Sequence, residues 1–267
     1  MSGGAGGGSR DRDDSGGSGD TAAPGDIGTV PRYDDALLSA RDVETGYGDL
    51  QVLYGVDIDV REDEVVLVFG PNGAGKSTLM RALYKQLPLW DGSIRIDDDD
   101  YSHLQSNEMV RHGVAYVPQT SNVFPNLTVA ENLDIGAIHA DAAAARRREM
   151  FELFPRLEER GEQDAATLSG GERQMLAMAR ALMPDPDVLL IDEPSAGLAP
   201  QLIERTLEHV DRVRQVGTAV LMIEQNVSAA LDVTDRAYAL DMGENKFEAD
   251  AEIIRDSQRV RDLYLGQ

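Results

Sequence analysis

The sequence predicts an α/β fold: a mainly parallel β-sheet flanked by helices, with a helix-only block inserted into it. Three observations predict it. Short apolar runs that read as buried strands alternate with segments of helical periodicity. A glycine-rich loop, Gly70 to Gly75, joins one such strand to one such helix. From about Asn126 to Met183 the pattern is mainly helical and breaks the alternation. There is no internal repeat.

Taken in order, residues 1–33 are rich in Gly, Ser and Asp, with almost no large apolar residue before Ile27. They bury too little surface to offset their ordering entropy, which predicts a disordered tail. Segments 37–46 and 51–60 alternate as strands do. Glu64 to Gly70 (EVVLVFG) reads as a buried strand running into a turn. Lys76 to Leu87 reads as a helix, with Leu79, Leu83 and Leu87 on one face. Asp91 to Ile96 returns to strand chemistry, and the aspartates 97–100 read as a solvated loop. Helices are expected at 128–138, 141–154 and 170–183, then a buried strand at Val188 to Ile191. A helix at 201–215, a strand at 218–223, a helix at 226–232, a strand at Ala237 to Leu240 and a helix at 251–264 complete the pattern.

Composition narrows the function classes. Hydrophobic residues make up 42% of the 267, enough for a substantial core. Acidic residues number 48 against 25 basic ones, a net charge of −23, which argues against holding nucleic acid or an anionic lipid surface by bulk charge. No apolar run approaches the roughly 18–20 residues that cross a bilayer. The N-terminus lacks the apolar stretch of a signal peptide. With no cysteine, disulfides, thiolate metal sites and a cysteine nucleophile are all impossible. Only three lysines occur, and aspartate outnumbers glutamate 30 to 18. Dense short carboxylates with scarce lysine suit a salt-saturated cytoplasm, where a Debye length of roughly 3 Å screens their repulsion. An ordinary acidic protein with an acidic tail is the alternative.

Three motifs carry chemistry. Gly70-Pro71-Asn72-Gly73-Ala74-Gly75-Lys76-Ser77 fits G-x-x-x-x-G-K-[ST] between a strand and a helix. Such a loop curls its N–H groups inward onto phosphate oxygens, and the following helix adds its positive end. Lys76 then lies on the β- and γ-phosphates, Ser77 offers a hydroxyl to Mg2+, and Thr78 reaches the α-phosphate side. Val188 to Ile191 delivers Asp192 and Glu193 to the carboxyl edge of the sheet. Asp192 would hold Mg2+ through water, and Glu193 would act as general base on the attacking water. Ser169 and Glu172 form a capping box at the start of helix 170–183, and Gly170 and Gly171 leave its amide-rich tip open to an anion.

The last motif, Leu168-Ser169-Gly170-Gly171-Glu172-Arg173-Gln174, closely matches the signature of the ABC ATPases. With the other two it makes residues 37–266 resemble the ATP-binding subunit of ABC transporters. The resemblance implies a P-loop NTPase (RecA-like) core at 34–118 and 186–267, an antiparallel β subdomain, and an inserted α-helical subdomain at 119–185. It implies ATP and Mg2+, with Tyr47 stacking on adenine, although a core or edge tyrosine would look the same. It assigns Gln119 to Mg2+ or the attacking water. In such a pair of domains, Ser169, Gly170, Gly171 and Glu172 cover the nucleotide of the other chain.

Further features resemble one branch, the shorter ATPase of branched-chain amino-acid importers: EPSAGLAP at 193–200, glutamine at Gln225 where the family usually has histidine, and the terminus Arg261 to Gly266. Gln119 departs from that group, which often has glutamate near there. Gln225 donates a hydrogen bond but cannot become a cation near neutrality, so a slower site, unequal to its partner's, is expected. The implied partners are permease subunits, a second ABC ATPase and, indirectly, an extracytoplasmic substrate-binding protein, with the chain on the cytoplasmic face of the membrane. Val123, Phe124 and Pro125 would contact the permease or fill the subdomain core. An amide or urea importer, an exporter or a non-transport ABC scaffold would share the nucleotide motifs.

Overall fold

In the computed structural model, residues 32–97, 99–120, 122–140 and 142–257 are described. The tail expected over residues 1–31, the distal part of the last expected helix and the Arg261–Gly266 terminus lie outside them.

The chain opens with a long hairpin, β1 (Ala36–Tyr47) and β2 (Leu50–Arg61), paired antiparallel. The apolar strand β3 (Val65–Phe69) follows and leads through the glycine loop into helix α1 (Lys76–Leu83). That helix stops a turn earlier than its leucine spacing predicts. Lys85 adopts φ 58°, its N–H bonds Ala82 O, and the Gln86 N–H reaches back to Arg81 O. This is a Schellman stop built on lysine where glycine is usual, so the residue type did not announce it. Strand β4 (Asp91–Ile96) returns to pair with β1. The aspartate run is not wholly a loop, because β5 (Asp99–Asp100) pairs with β4.

After the short helix α2 (Ser106–Met109) comes strand β6 (Val114–Val117), which the sequence reading passed over. Four helices follow: α3 (Val129–Gly136), α4 (Ala143–Leu153), α5 (Pro155–Glu158) and α6 (Gly170–Leu182). Then β7 (Val188–Asp192), α7 (Pro200–Gln215), β8 (Ala219–Ile223) and α8 (Val227–Ala230) alternate as expected. The hairpin β9 (Arg236–Asp241) and β10 (Glu244–Asp250) and helix α9 (Ala251–Asp256) end the described chain.

Two sheets result, with strand orders β2-β1-β4-β5 and β10-β9-β3-β8-β7-β6. In the larger sheet β9, β3, β8, β7 and β6 run parallel, and β10 adds an antiparallel edge. All five residues of β3, β7 and β8 are buried, as strands covered on both faces require. Their alternate residues face two different clusters. Leu67, Phe69, Leu189, Ile191, Val220 and Met222 pack with helical residues such as Leu133, Phe154, Leu176 and Val210. Val66, Val68, Leu190 and Leu221 pack on the other face with α1 and the small sheet. The three layers follow from period-two strands sandwiched between apolar surfaces.

Candidate nucleotide site

Parallel register puts the ends of the central strands at one edge. Val68 is level with Ile223, Ile223 with Asp192, and Ile191 with Val117. The next residues of those strands are therefore neighbours: the Gly70 loop, Glu224 and Gln225, Glu193, and Gln119. This is the carboxyl edge where α/β sheets hold ligands.

The loop from Gly70 to Gly75 needs its glycines at two points. A side chain on Gly70 would sit 1.9 Å from Leu240 O, and Gly75, at φ 101°, would meet Leu53 at 2.7 Å. Gly75 caps α1 at its amino end, where helix amides are unpaired. Gly243 donates to Ala74 O at 2.9 Å, which fixes the loop against the β9–β10 turn. Pro71, Asn72 and Gly73 complete the loop. The buried ammonium of Lys76 donates to Gly70 O at 2.9 Å and Pro71 O at 3.0 Å. Burial lowers its pKa, while Glu193 and Asp192 oppose the shift.

Ser77 Oγ donates to Asp192 Oδ1 at 3.3 Å, so the two expected metal-side residues do meet. Tyr116 donates to Asp192 Oδ2 at 3.5 Å. Burial, and after it Glu193, raises the Asp192 carboxyl, and burial pushes the Tyr116 phenol up to about 12. A serine hydroxyl and a carboxylate are oxygen donors of the kind that suits Mg2+.

Glu193 is 9% exposed and takes φ 48°. Two amides hold its carboxylate. Gln119 Nε2 donates at 2.6 Å, and Gln225 Nε2 donates to both oxygens at 2.8 and 2.7 Å. The Gln225 amide, expected to donate a hydrogen bond, donates to Glu193. Tyr47, 42% exposed, lies 3.5 Å from Thr78 Oγ1 and accepts from Arg81 at 3.1 Å, beside the phosphate loop.

The capping box forms as read. Ser169 Oγ accepts from the Glu172 N–H, and Glu172 Oε2 accepts from the Ser169 N–H at 3.0 Å. Arg160 holds Glu172 at 2.8 Å. A side chain on Gly170 would come 2.9 Å from the end of the Leu198 side chain, which would have to move aside, whereas Gly171 has room for one. Among the described residues no hydrogen bond joins Ser169–Glu172 to the phosphate loop. Sequence reading also missed Asn122, which donates to Gln174 at 2.9 Å and ties the segment after Gln119 to α6. It missed Glu224, although an apolar strand ending in acid had already marked Asp192. Val123 packs on the core, one of the two roles expected of this loop, while Phe124 stays 43% exposed.

A phosphate loop, a carboxylate pair at the end of β7, next but one to the loop's strand, and a glycine-tipped capped helix define a P-loop nucleoside triphosphatase. The sequence profile of the ABC transporter family matches residues 53–196, and the chain belongs to that family, as an ATP-binding, ATP-hydrolysing subunit. It is 43% identical over 232 residues to the high-affinity branched-chain amino acid transport ATP-binding protein BraG of Pseudomonas aeruginosa, covering 86% of this chain and 100% of that one. A probable branched-chain amino acid transport ATP-binding protein, LivF of Archaeoglobus fulgidus, is 36% identical over 86% of this chain and 99% of its own. Among solved structures, a nucleotide-free ATP-binding cassette from an ABC transporter superposes with a TM-score of 0.77 at 27% identity, covering 87% of this chain and all of that one.

Proposed function

We propose that this chain is the ATPase subunit of an importer for branched-chain amino acids, docked on permease subunits at the cytoplasmic face of the membrane. The likeness to BraG over that protein's whole length is the observation that carries the substrate class. It pairs with a second ABC ATPase, and Ser169, Gly170, Gly171 and Glu172 cover the partner's nucleotide. The open tip of α6, which no hydrogen bond joins to this chain's own phosphate loop among the described residues, supports that arrangement. Residues 119–185 form the subdomain that moves on closure and, through the segment 119–127, pushes the permease. An extracytoplasmic binding protein delivers the amino acid.

In this reading Tyr47 stacks on adenine, and the loop amides from Gly70 to Gly75 with Ser77 and Thr78 grip the phosphates. Lys76 exchanges its two carbonyl partners for β- and γ-phosphate oxygens, a stronger pairing of opposite charges. Ser77 and Asp192, with Gln119 alongside, would hold Mg2+, which when bound neutralises phosphate charge. Glu193 takes the proton of the attacking water while Gln119 and Gln225 orient it. Lys76→Ala lowers ATP hydrolysis at this site by roughly a hundredfold or more. Uptake of labelled leucine by cells lacking the chromosomal gene, complemented with the wild-type and Lys76→Ala chains, tests the whole reading. Leucine uptake that is the same with either chain would overturn it.

A further inference from the structure

The site contains a buried carboxylate that the reaction does not use directly. Glu224 follows β8 and is 1% exposed. The groups that reach it are hydrogen-bond donors: Ser195 N–H on Oε1 at 2.7 Å, Ser195 Oγ on Oε2 at 2.7 Å, and Gln225 N–H on Oε2 at 3.2 Å. Burial raises its pKa against these bonds. A buried carboxylate whose two oxygens both accept from Ser195 and Gln225 ties those two segments together, and an apolar side chain there would leave their buried donors unpaired.

The geometry says what they are needed for. Glu193 N–H bonds Ile223 O at 3.0 Å, Ser195 bonds Glu224 twice, and Gln225 bonds back to Glu193. Residues 193–195 and 223–225 thus close a ring across the ends of β7 and β8. Leu198, three residues beyond Ser195, lies against Gly170 at the tip of α6. One contiguous path therefore joins the helix tip that covers the partner's nucleotide to the base of this chain's own site.

We propose that Glu224 is a positioning residue for ATP hydrolysis: its carboxylate locks the loop 194–199 to Gln225, keeps the Gln225 amide on Glu193, and passes movement of that loop to the base. The proposal rests on the ATPase reading above. It is tested in the assembled transporter by measuring kcat and KM for ATP and the nucleotide affinity of Glu224→Gln, Ser195→Ala, Gln225→Ala and the Glu224→Gln/Gln225→Ala pair. Glu224→Gln lowers kcat about tenfold or more with KM and nucleotide affinity unchanged, as expected for a misplaced reacting group. Gln225→Ala does the same, and the double variant is no worse than the weaker single. A wild-type kcat in Glu224→Gln, a joint loss of kcat and binding, or losses that multiply in the double variant would each overturn the proposal. If Glu224→Gln does not fold, Ser195→Ala decides: a loss confined to kcat supports the role and an unchanged kcat refutes it. An unsubstituted transporter whose hydrolysis equals that of its Lys76→Ala form overturns the ATPase reading itself, a result visible before any Glu224 variant is made.

Discussion

Glu193 holds a left-handed backbone that costs a non-glycine residue of order 1–3 kcal/mol, and the ring of bonds through Ile223, Ser195 and Gln225 keeps it there. The Gln225 amide nitrogen is turned onto both Glu193 oxygens, at 2.8 and 2.7 Å, so its donor side faces that carboxylate. A neutral imidazole at this position has one N–H, and a second only as the cation that an amide cannot become. This sharpens the expectation of unequal sites. Glu193→Gln lowers substrate-coupled ATP turnover of the assembled transporter at least as much as Glu224→Gln does, but less than the same change in the partner ATPase; equal damage from both defeats the idea.

A second residue-scale prediction concerns pH. His209 sits edge-on to Phe154 at 5.3 Å, and burial, then Arg212, lowers its pKa to about 4. Arg205 pushes the same way and Glu208 opposes. A depressed folded-state pKa contributes stability that is complete above the unfolded value near 6.5 and is lost as pH falls toward about 4. The melting temperature therefore drops between those values, and His209→Leu makes the drop smaller than in wild type. Parallel curves for the two proteins would refute this.

At the scale of elements, burial on both faces made β3, β7 and β8 legible as unbroken apolar runs. β6 was not legible, because four residues at the sheet's outer edge have no flanking pattern of their own, and β10 is too polar to stand out. What fastens β10 is a charge network that no local pattern shows. Arg236, 1% exposed, pairs with Glu64 at 2.8 Å and Glu248 at 2.6 Å, donates to Tyr238 at 2.7 Å and to Asp59 O at 2.8 Å. The Tyr33 ring lies 4.4 Å from the guanidinium. Arg236→Met leaves Glu248 with only the Tyr33 hydroxyl and Glu64 with only Arg61, and lowers stability by about 3–5 kcal/mol, measured by urea unfolding. A loss under about 1 kcal/mol, the range of an exposed pair, would contradict the network's weight.

At the scale of the whole molecule, the charge of −23 acts on everything at once. Raising salt from about 0.1 M to about 1 M shortens the Debye length from roughly 10 Å to roughly 3 Å and relieves self-repulsion. If the chain is built for concentrated salt, its melting temperature climbs steeply across that range and structure is lost on dialysis, both followed by circular dichroism. A melting temperature indifferent to salt would point to an ordinary acidic protein.

By itself the sequence determined the parts that work over a few consecutive residues: the glycine curl from Gly70 to Lys76, the capped tip at Ser169, the acids that end β7, and the alternation that makes the sheet parallel. Each depends on local backbone geometry, which neighbouring residues dictate. Only the tertiary structure decided which side chains share a site. Gln119 lies 74 positions from Glu193, and Gln225 lies 32 from it, yet both donate to it. Parallel register places the ends of β6, β7 and β8 side by side, and contact across such separations is set by how layers pack rather than by any period along the chain.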